Sequence, residues 1–456
     1  MKLLITFFRV FMWLLAVLAG TFLLLAIAML KPIDQRKIVE YQTVTSTLAK
    51  LDSLTIDQWS AGGVLEASWA VANIMPERAI NMAGYGPRGP YNAVLDSLKA
   101  RIVLFDNGGI KAVIICVDLL MFPRALKEKL EKRLPTLGFQ PNQIYFTATH
   151  THHGFGNWES SPAGSFAFGT YEETLVDHMA NRIIEATEAA AEKKAPITIG
   201  FQKIDAGNMV ANRLAPESGA EDPYLRIVHL KKNNGERGML VSFAGHATNL
   251  DADVWEVSRD YPGVLVDLLE QEPHIDFAMF AAGMVGSHNI DSGLSKGHNR
   301  IITIGKHLAA LILNDSTERT YNIPSKIGSA DVDIALPASQ LRLTGSIALR
   351  DWVFKAAFKP LEAHIRLLQI GDILFIGMPC DYSGELAANN HLDTYAARHN
   401  KKLFITSFNG NYVGYITEDA HYYTSDHDEV RVMNWVGPGM GAYFTTAVRK
   451  IIDSTE

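Results

Sequence analysis

Cysteine is almost absent: Cys116 and Cys380 are the two in 456 residues. They are too few and too far apart for a disulfide framework or a thiolate metal site, so each reads as a small buried apolar residue. A basic cluster is lacking too. With 42 Lys and Arg against 49 Asp and Glu, and a net charge of -7, the chain offers phosphates no docking stripe, which excludes nucleic acid as a partner. No internal repeat or low-complexity tract stands out. Hydrophobic residues make up 48% and charged ones 20%, the balance of a globular protein carrying one extra apolar segment rather than a disordered chain.

That segment lacks charge altogether. Val10 to Leu30 (VFMWLLAVLAGTFLLLAIAML) contains no ionisable side chain and is long enough, as a helix, to cross a hydrocarbon core of about 30 Å. Lys2 and Arg9 precede it and Lys31, Arg36 and Lys37 follow it, so flanking charge hardly chooses an orientation. Ala26-Ile27-Ala28 fits the small-x-small pattern of a signal-peptidase site. The run nevertheless exceeds the roughly 7 to 15 apolar residues of a signal peptide, which favours an uncleaved anchor. The expected organisation is an anchor over 1–36, a polar, partly helical stalk over 37–59, which lacks Gly and Pro, and one body over 60–456, held on the extracytoplasmic side of a membrane.

After Ser60-Ala61-Gly62-Gly63 short apolar runs alternate with amphipathic ones, the pattern of an α/β fold with a mixed β-sheet core covered by helices. Strands are expected at 101–105, 112–118, 143–149, 198–204, 239–245, 277–283, 373–378 and 402–408. Helices are expected at 122–134 and 171–194, where apolar residues recur with a 3.6-residue period.

Polar residues of catalytic type gather where apolar runs stop. QIYFTATHTHHGFGNWE ends a strand on His150-Thr151-His152-His153; strand alternation would point His150 and His152 to one face and His153 away. MLVSFAGHATNLDADVWEVSRDYPG ends another on His246, with Asn249, Asp251 and Asp260 downstream. GDILFIGMPCDYSGEL places Asp381 after a third, and NGNYVGYITEDAHYY is dense in tyrosine. Singly, each has a bland reading: a surface histidine cluster, a satisfied core histidine, a turn aspartate, packing tyrosines. Together they supply two imidazoles, a carboxylate and a further oxygen donor, a set that suits Zn2+ with a position left for water.

These residues resemble the catalytic domain of the neutral, non-lysosomal ceramidases. The likeness runs over roughly residues 60 to 450. It is carried by Asn81-Met82-Ala83-Gly84-Tyr85 against an N-x-x-G-Y loop, by Leu98-Lys99-Ala100-Arg101, by Val117-Asp118-Leu119, and above all by Ala148 to Gly156 (ATHTHHGFG) against G-T-H-T-H-S-G-P-G. The resemblance implies that His150, His246, Asp381 and Tyr415 bind zinc, with Tyr412 as the fallback for Tyr415 and Asp381 in place of the family's glutamate. It implies a catalytic role for His152 beside the metal, and a substrate role for Arg213 in Asn212-Arg213. Against the family's G-D-x-S-P-N, Met284 to Asn289 keeps Ser287 and Asn289 and gains His288, making Ser287 and His288 candidate catalytic or substrate contacts.

The implied activity is zinc-dependent hydrolysis of the amide of an N-acyl lipid such as ceramide, an amphipathic substrate that suits a membrane-tethered enzyme. Two rivals remain. A metallohydrolase of the β-lactamase type would need an aspartate where Gly154 stands. A catalytically silent, membrane-tethered lipid-binding protein is suggested by the altered 284–289 segment.

Overall fold

The computed structural model describes residues 2–60, 63–315, 321–322 and 326–455, the side chains of residues 2, 3, 57–60 and 208 excepted. The expected Ser60-to-Gly63 boundary therefore lies partly outside the described residues, at Ala61 and Gly62. All eight expected strands form. They are joined by strands the periodicity did not pick out, chiefly Glu66–Asn73, Tyr224–Lys232, Lys326–Asp333 and His364–Ile370.

Two sheets face each other. The larger has nine strands, running in order Phe277–Ala282, Arg237–Phe243, Tyr224–Lys232, Ala195–Asp205, Glu66–Asn73, Lys99–Asp106, Lys111–Val117 and Ile144–Ala148, with Tyr321–Asn322 added beside Ala195–Asp205. Glu66–Asn73 meets Ala195–Asp205 through only Ala195 and Pro196, and the sheet curls there. Its first strand thereby comes round to the other half: Arg101 donates to the Ala278 carbonyl at 2.7 Å, and the Cys116 thiol to that of Phe280 at 3.1 Å. The smaller sheet orders Asp57–Ser60, Lys326–Asp333, His364–Ile370, Ile373–Gly377 and Lys402–Thr406. Between the sheets lies an apolar core of Phe105, Tyr145, Val228, Met279, Leu368, Phe375 and Phe404. Strands buried on both faces read as continuous apolar runs, and burial pattern explains which strands were legible.

Helices cover the outer faces. Arg124–Arg133 and Glu173–Ala191 bury Leu126, Leu130, Met179 and Ile183 on one half of the larger sheet. Asp260–Glu270 and His298–Asn314 cover the other half, and Met440–Asp453 packs on the smaller sheet. Both helices expected from periodicity are present, each slightly shorter at both ends than the apolar period suggests.

Direction within the sheets positions the site. Most neighbours are antiparallel, but three pairs run parallel: Lys111–Val117 with Ile144–Ala148, Arg237–Phe243 with Phe277–Ala282, and Ile373–Gly377 with Lys402–Thr406. The loops that start at Asp118, Thr149, Ala244, Gly283, Met378 and Ser407 leave from the C-terminal ends of these strands, where open α/β sheets gather their functional loops.

Lys2–Met29 is one exposed helix, and among the described residues it is the helix long and apolar enough to cross a membrane; a signal sequence has the same composition. The segment expected as a stalk is partly helical, over Gln42–Leu51, but it does not hang free. Val44 and Leu51 are buried in the core that includes Tyr443 and Phe444 of the C-terminal helix, and Asp57–Ser60 pairs with Lys326–Asp333. The reason is amphipathicity: Val44, Thr47 and Leu51 share one helix face, and an apolar stripe is stable only when covered.

Candidate metal centre

His150 and His152 converge as expected, by a different route. The strand ends at Ala148, and His150 takes a left-handed backbone conformation, φ 64°, so a turn and not strand alternation aims the two rings. His150 is held on three sides. Its backbone N–H donates to the Leu119 carbonyl at 3.0 Å, its Nδ1 lies 2.6 Å from the Leu120 carbonyl, and its ring stacks on Phe408 with centroids 4.2 Å apart. His246, after the strand Arg237–Phe243, sets Nδ1 3.3 Å from the Val285 carbonyl. An Nδ1–H donated to a carbonyl fixes the tautomer and leaves Nε2 as a bare lone pair.

The three Nε2 atoms face one another. His150 and His246 are 2.8 Å apart, His152 and His246 3.2 Å, His150 and His152 3.3 Å. Burial drives all three imidazoles toward the neutral form: it pushes His150 down to about 3 and takes His152 and His246 well below the ordinary histidine range. The neutral rings of His150 and His246, with their Nδ1 protons already donated, repel at 2.8 Å unless a cation lies between them.

An acid completes the cluster. Asp381 Oδ1 lies 3.4 Å from His150 Nε2 and has no hydrogen-bond partner although fully buried, while Oδ2 accepts from the Tyr412 hydroxyl at 2.6 Å. Asp381 pairs in register with Tyr415 across a short parallel bridge, so two of the residues expected to share a ligand set come from adjacent strands. Burial pushes the Asp381 carboxyl up to about 7, against the lowering effect of Tyr412, Arg213 and the nearby Tyr415 hydroxyl. A divalent ion would reverse that shift by favouring the carboxylate. The chemistry of the donors, imidazole nitrogens and a hard oxygen, fits zinc.

The other expected residues divide. Tyr415 borders the cluster and, with Tyr412, His150 and His152, shares the wall of a cavity of about 410 Å3. Leu120, Met121, Phe122, Phe168, Phe358 and Trp435 give that cavity an apolar lining, in the size range of small-molecule sites. Arg213 lies behind Tyr415 rather than in the cavity, its guanidinium 5.5 Å from that ring and 3.0 Å from Glu429. Ser287 and His288 do not join the cluster. Ser287 Oγ accepts from Ser383 Oγ at 2.7 Å and from the Glu385 N–H at 3.3 Å, and His288 Nε2 accepts the Asp222 N–H at 3.3 Å; both brace the turn before the helix Gly384–Asn389. His153 turns away to the Asp251 carbonyl, and Asp260 clasps Asn249 through two bonds.

Sequence reasoning missed Arg88 and Phe408. Arg88 donates to the backbone carbonyls of Ala83 and His152, at 2.9 and 2.6 Å, pinning the histidine turn to the Asn81–Tyr85 loop. Gly84 sits in that loop with φ 130°, and a Cβ there would lie 2.4 Å from the His152 carbonyl oxygen, so only glycine permits the approach. The two residues before it need no such freedom, since Met82 and Ala83 pair as ordinary strand with Phe155 and Gly154.

Fold and site together define a mixed α/β protein with a buried histidine cluster able to hold a metal ion. Residues 76–291 match the family described as neutral/alkaline non-lysosomal ceramidase, N-terminal, which places that segment in the neutral ceramidase family. The fold is similar to that of neutral ceramidase from Pseudomonas aeruginosa, with a TM-score of 0.73 and 17% identity over 85% of this chain and 74% of that one. It is similar also to a ceramidase complexed with C2, with a TM-score of 0.69 and 15% identity at the same coverage. No curated protein matches the chain by sequence. The family match contains the three histidines and stops before Asp381 and Tyr415.

Proposed function

We propose that the chain is a metal-dependent amidohydrolase that cleaves the amide of an N-acyl lipid such as ceramide, giving a fatty acid and a sphingoid-type amine. The observation that carries this is the facing of bare Nε2 atoms of His150 and His246 beside the unpartnered Oδ1 of Asp381, next to an apolar cavity.

His150, His246 and Asp381, with Tyr415 at the border, are the proposed holders of Zn2+. The ion, when bound, supplies a Lewis acid that polarises a carbonyl and acidifies water. The chain does the rest. Leu120, Phe122, Phe168 and Phe358 take the acyl chain and exclude bulk water. Tyr412 fixes the Asp381 carboxylate through Oδ2, leaving Oδ1 free. His152, the least buried of the three imidazoles, faces substrate and carries the proton: water adds to the carbonyl carbon, the C–N bond breaks, and the proton that water loses leaves on the amine. Arg213 acts as a positioning residue behind Tyr415. Ser287 and His288 have no place at the reacting atoms.

The family match over 76–291 supports the substrate class, and the apolar cavity suits an acyl chain. Residues 1–36 are proposed as the membrane anchor and 60–456 as the hydrolase body on its extracytoplasmic side. The test is chelation of the purified protein to zero metal, followed by measurement of fatty acid released from N-acyl sphingoid amides before and after zinc is restored. Activity is expected to vanish and return. Turnover that survives complete removal sinks the mechanism, and a zinc-loaded chain that binds acyl amides without releasing fatty acid is the silent lipid-binding protein instead.

A further inference from the structure

The apolar N-terminal helix is gripped by the body. Trp352 donates its indole N–H to the Ala28 carbonyl at 3.1 Å, Arg350 donates Nε–H to that of Ile27 at 3.2 Å, and the Arg350 backbone N–H reaches that of Met29 at 2.9 Å. These are last-turn carbonyls, which a helix by itself leaves unsatisfied. Directly after them, Leu30–Pro32 pairs with Ile347–Leu349. Around this joint the body exposes apolar side chains: Trp352 is 56% accessible, Leu343 44% and Ile347 37%. A tryptophan and an arginine at the end of an apolar span are the residues of the headgroup layer, so the joint fixes where a bilayer crossed by Lys2–Met29 would end.

The same element reaches the cavity. The helix Asp351–Phe358 begins at this joint and ends on Phe358, a cavity wall residue. Trp352 and Phe358 are six residues apart, at most about 9 Å along the axis, while the headgroup layer of one leaflet is about 5 to 8 Å deep. The helix Pro162–Phe168 packs against Asp351–Phe358, and Lys359 Nζ donates to Ser160 Oγ at 2.6 Å. That second helix places Phe168 in the cavity and leaves Phe166 outside it, 75% exposed. Phe166 is thus an exposed aromatic two residues from a cavity wall residue, on a helix packed against the one that begins at the anchor joint.

We propose that the face formed by Trp352, Leu343, Ile347 and Phe166 seats on the same bilayer that the N-terminal helix crosses, so that the cavity opens at the headgroup layer and an N-acyl lipid enters it without passing through water. The route rests on the amide-lipid reading above; the seating does not. Both native cysteines are buried, so a Phe166→Cys chain takes an environment-sensitive fluorophore at one site. In the full-length protein reconstituted into phosphatidylcholine vesicles, the label is expected to shift to the blue and to be quenched by lipids carrying a shallow nitroxide. Water-like, unquenched emission overturns the proposal, and so does a blue shift without nitroxide quenching, which would mean a second copy or another protein covers the face. Independently, Trp352→Ser/Phe166→Ser is expected to lower turnover of a vesicle-embedded long-chain N-acyl amide about tenfold relative to a soluble short-chain one. An unchanged ratio overturns the route. If the wild type turns over neither substrate, the hydrolase reading has failed and the label alone decides the seating.

Discussion

Two buried polar clusters lie at the strand ends, and they differ in one respect. Around Ser287 and His288 the polar atoms have protein partners: Ser383, the Glu385 N–H and the Asp222 N–H fill the available positions. Around His150, His152 and His246 the Nε2 atoms meet one another, and Asp381 Oδ1 receives no hydrogen bond. Buried polar groups left unpaired cost stability. A fold that keeps several together, with His150, His246 and Asp381 braced from behind by Leu120, Val285 and Tyr412, forms a cluster that could hold a metal ion. Residue type does not separate the two clusters, since both contain histidine; the partners of the polar atoms do.

The comparison is broken first at its strongest point. His246→Ala is expected to abolish stoichiometric zinc, read by elemental analysis, and to lower amide turnover at least about a thousandfold; a variant that keeps its metal would remove His246 from the donor set. Tyr412→Phe takes the donor from Asp381 Oδ2 and should weaken zinc about tenfold in competition with a chelator, with no change meaning that the carboxylate needs no brace. Ser287→Ala should behave as a structural change, costing about 1 to 2 kcal/mol in denaturant unfolding with turnover within about twofold; a tenfold loss of turnover in a fully folded chain would return Ser287 to the reacting centre.

The smallest effect lies further out, at His421 and Glu385, 2.8 Å apart. Hydrogen bonding to Glu385 raises His421 above its ordinary value, and Glu385 is lowered despite its burial. A raised histidine stabilises the fold fully below its unfolded value of about 6.5 and loses that contribution as pH rises through the folded value. His421→Gln should therefore lower the melting temperature most near about pH 5 and hardly at all near about pH 9. A gap that widens with pH would show that the pair does not carry the charge assigned to it.

Much of this was legible in the sequence, for reasons that can be named. Doubly buried strands such as Lys111–Val117 and Phe277–Ala282 appear as unbroken apolar runs, and the residue after such a run is where a site can form. That position in the sequence is what singled out His150, His246 and Asp381, and the fold brings the three side chains together. Glu66–Asn73 and Lys326–Asp333 were not legible, because Glu66, Ser68, Ser329 and Asp331 interrupt the apolar run. Nor could spacing reveal that the smaller sheet packs on the larger, that the segment over 37–59 is docked, or that Ser287 is saturated: each depends on partners far away in the chain. Arg88 was invisible for the same reason, since its work is done on a carbonyl 64 positions downstream.

The three parallel strand pairs carry a consequence for how the chain matures. Imidazoles leave from the first two pairs, while the carboxylate and phenol leave from the third, which a ribosome delivers much later. A nascent chain thus carries the imidazole segments before the segments of Asp381 and Tyr415 have been made. The four side chains meet only once the smaller sheet has docked on the larger, so the cluster is a product of tertiary structure and of no single segment.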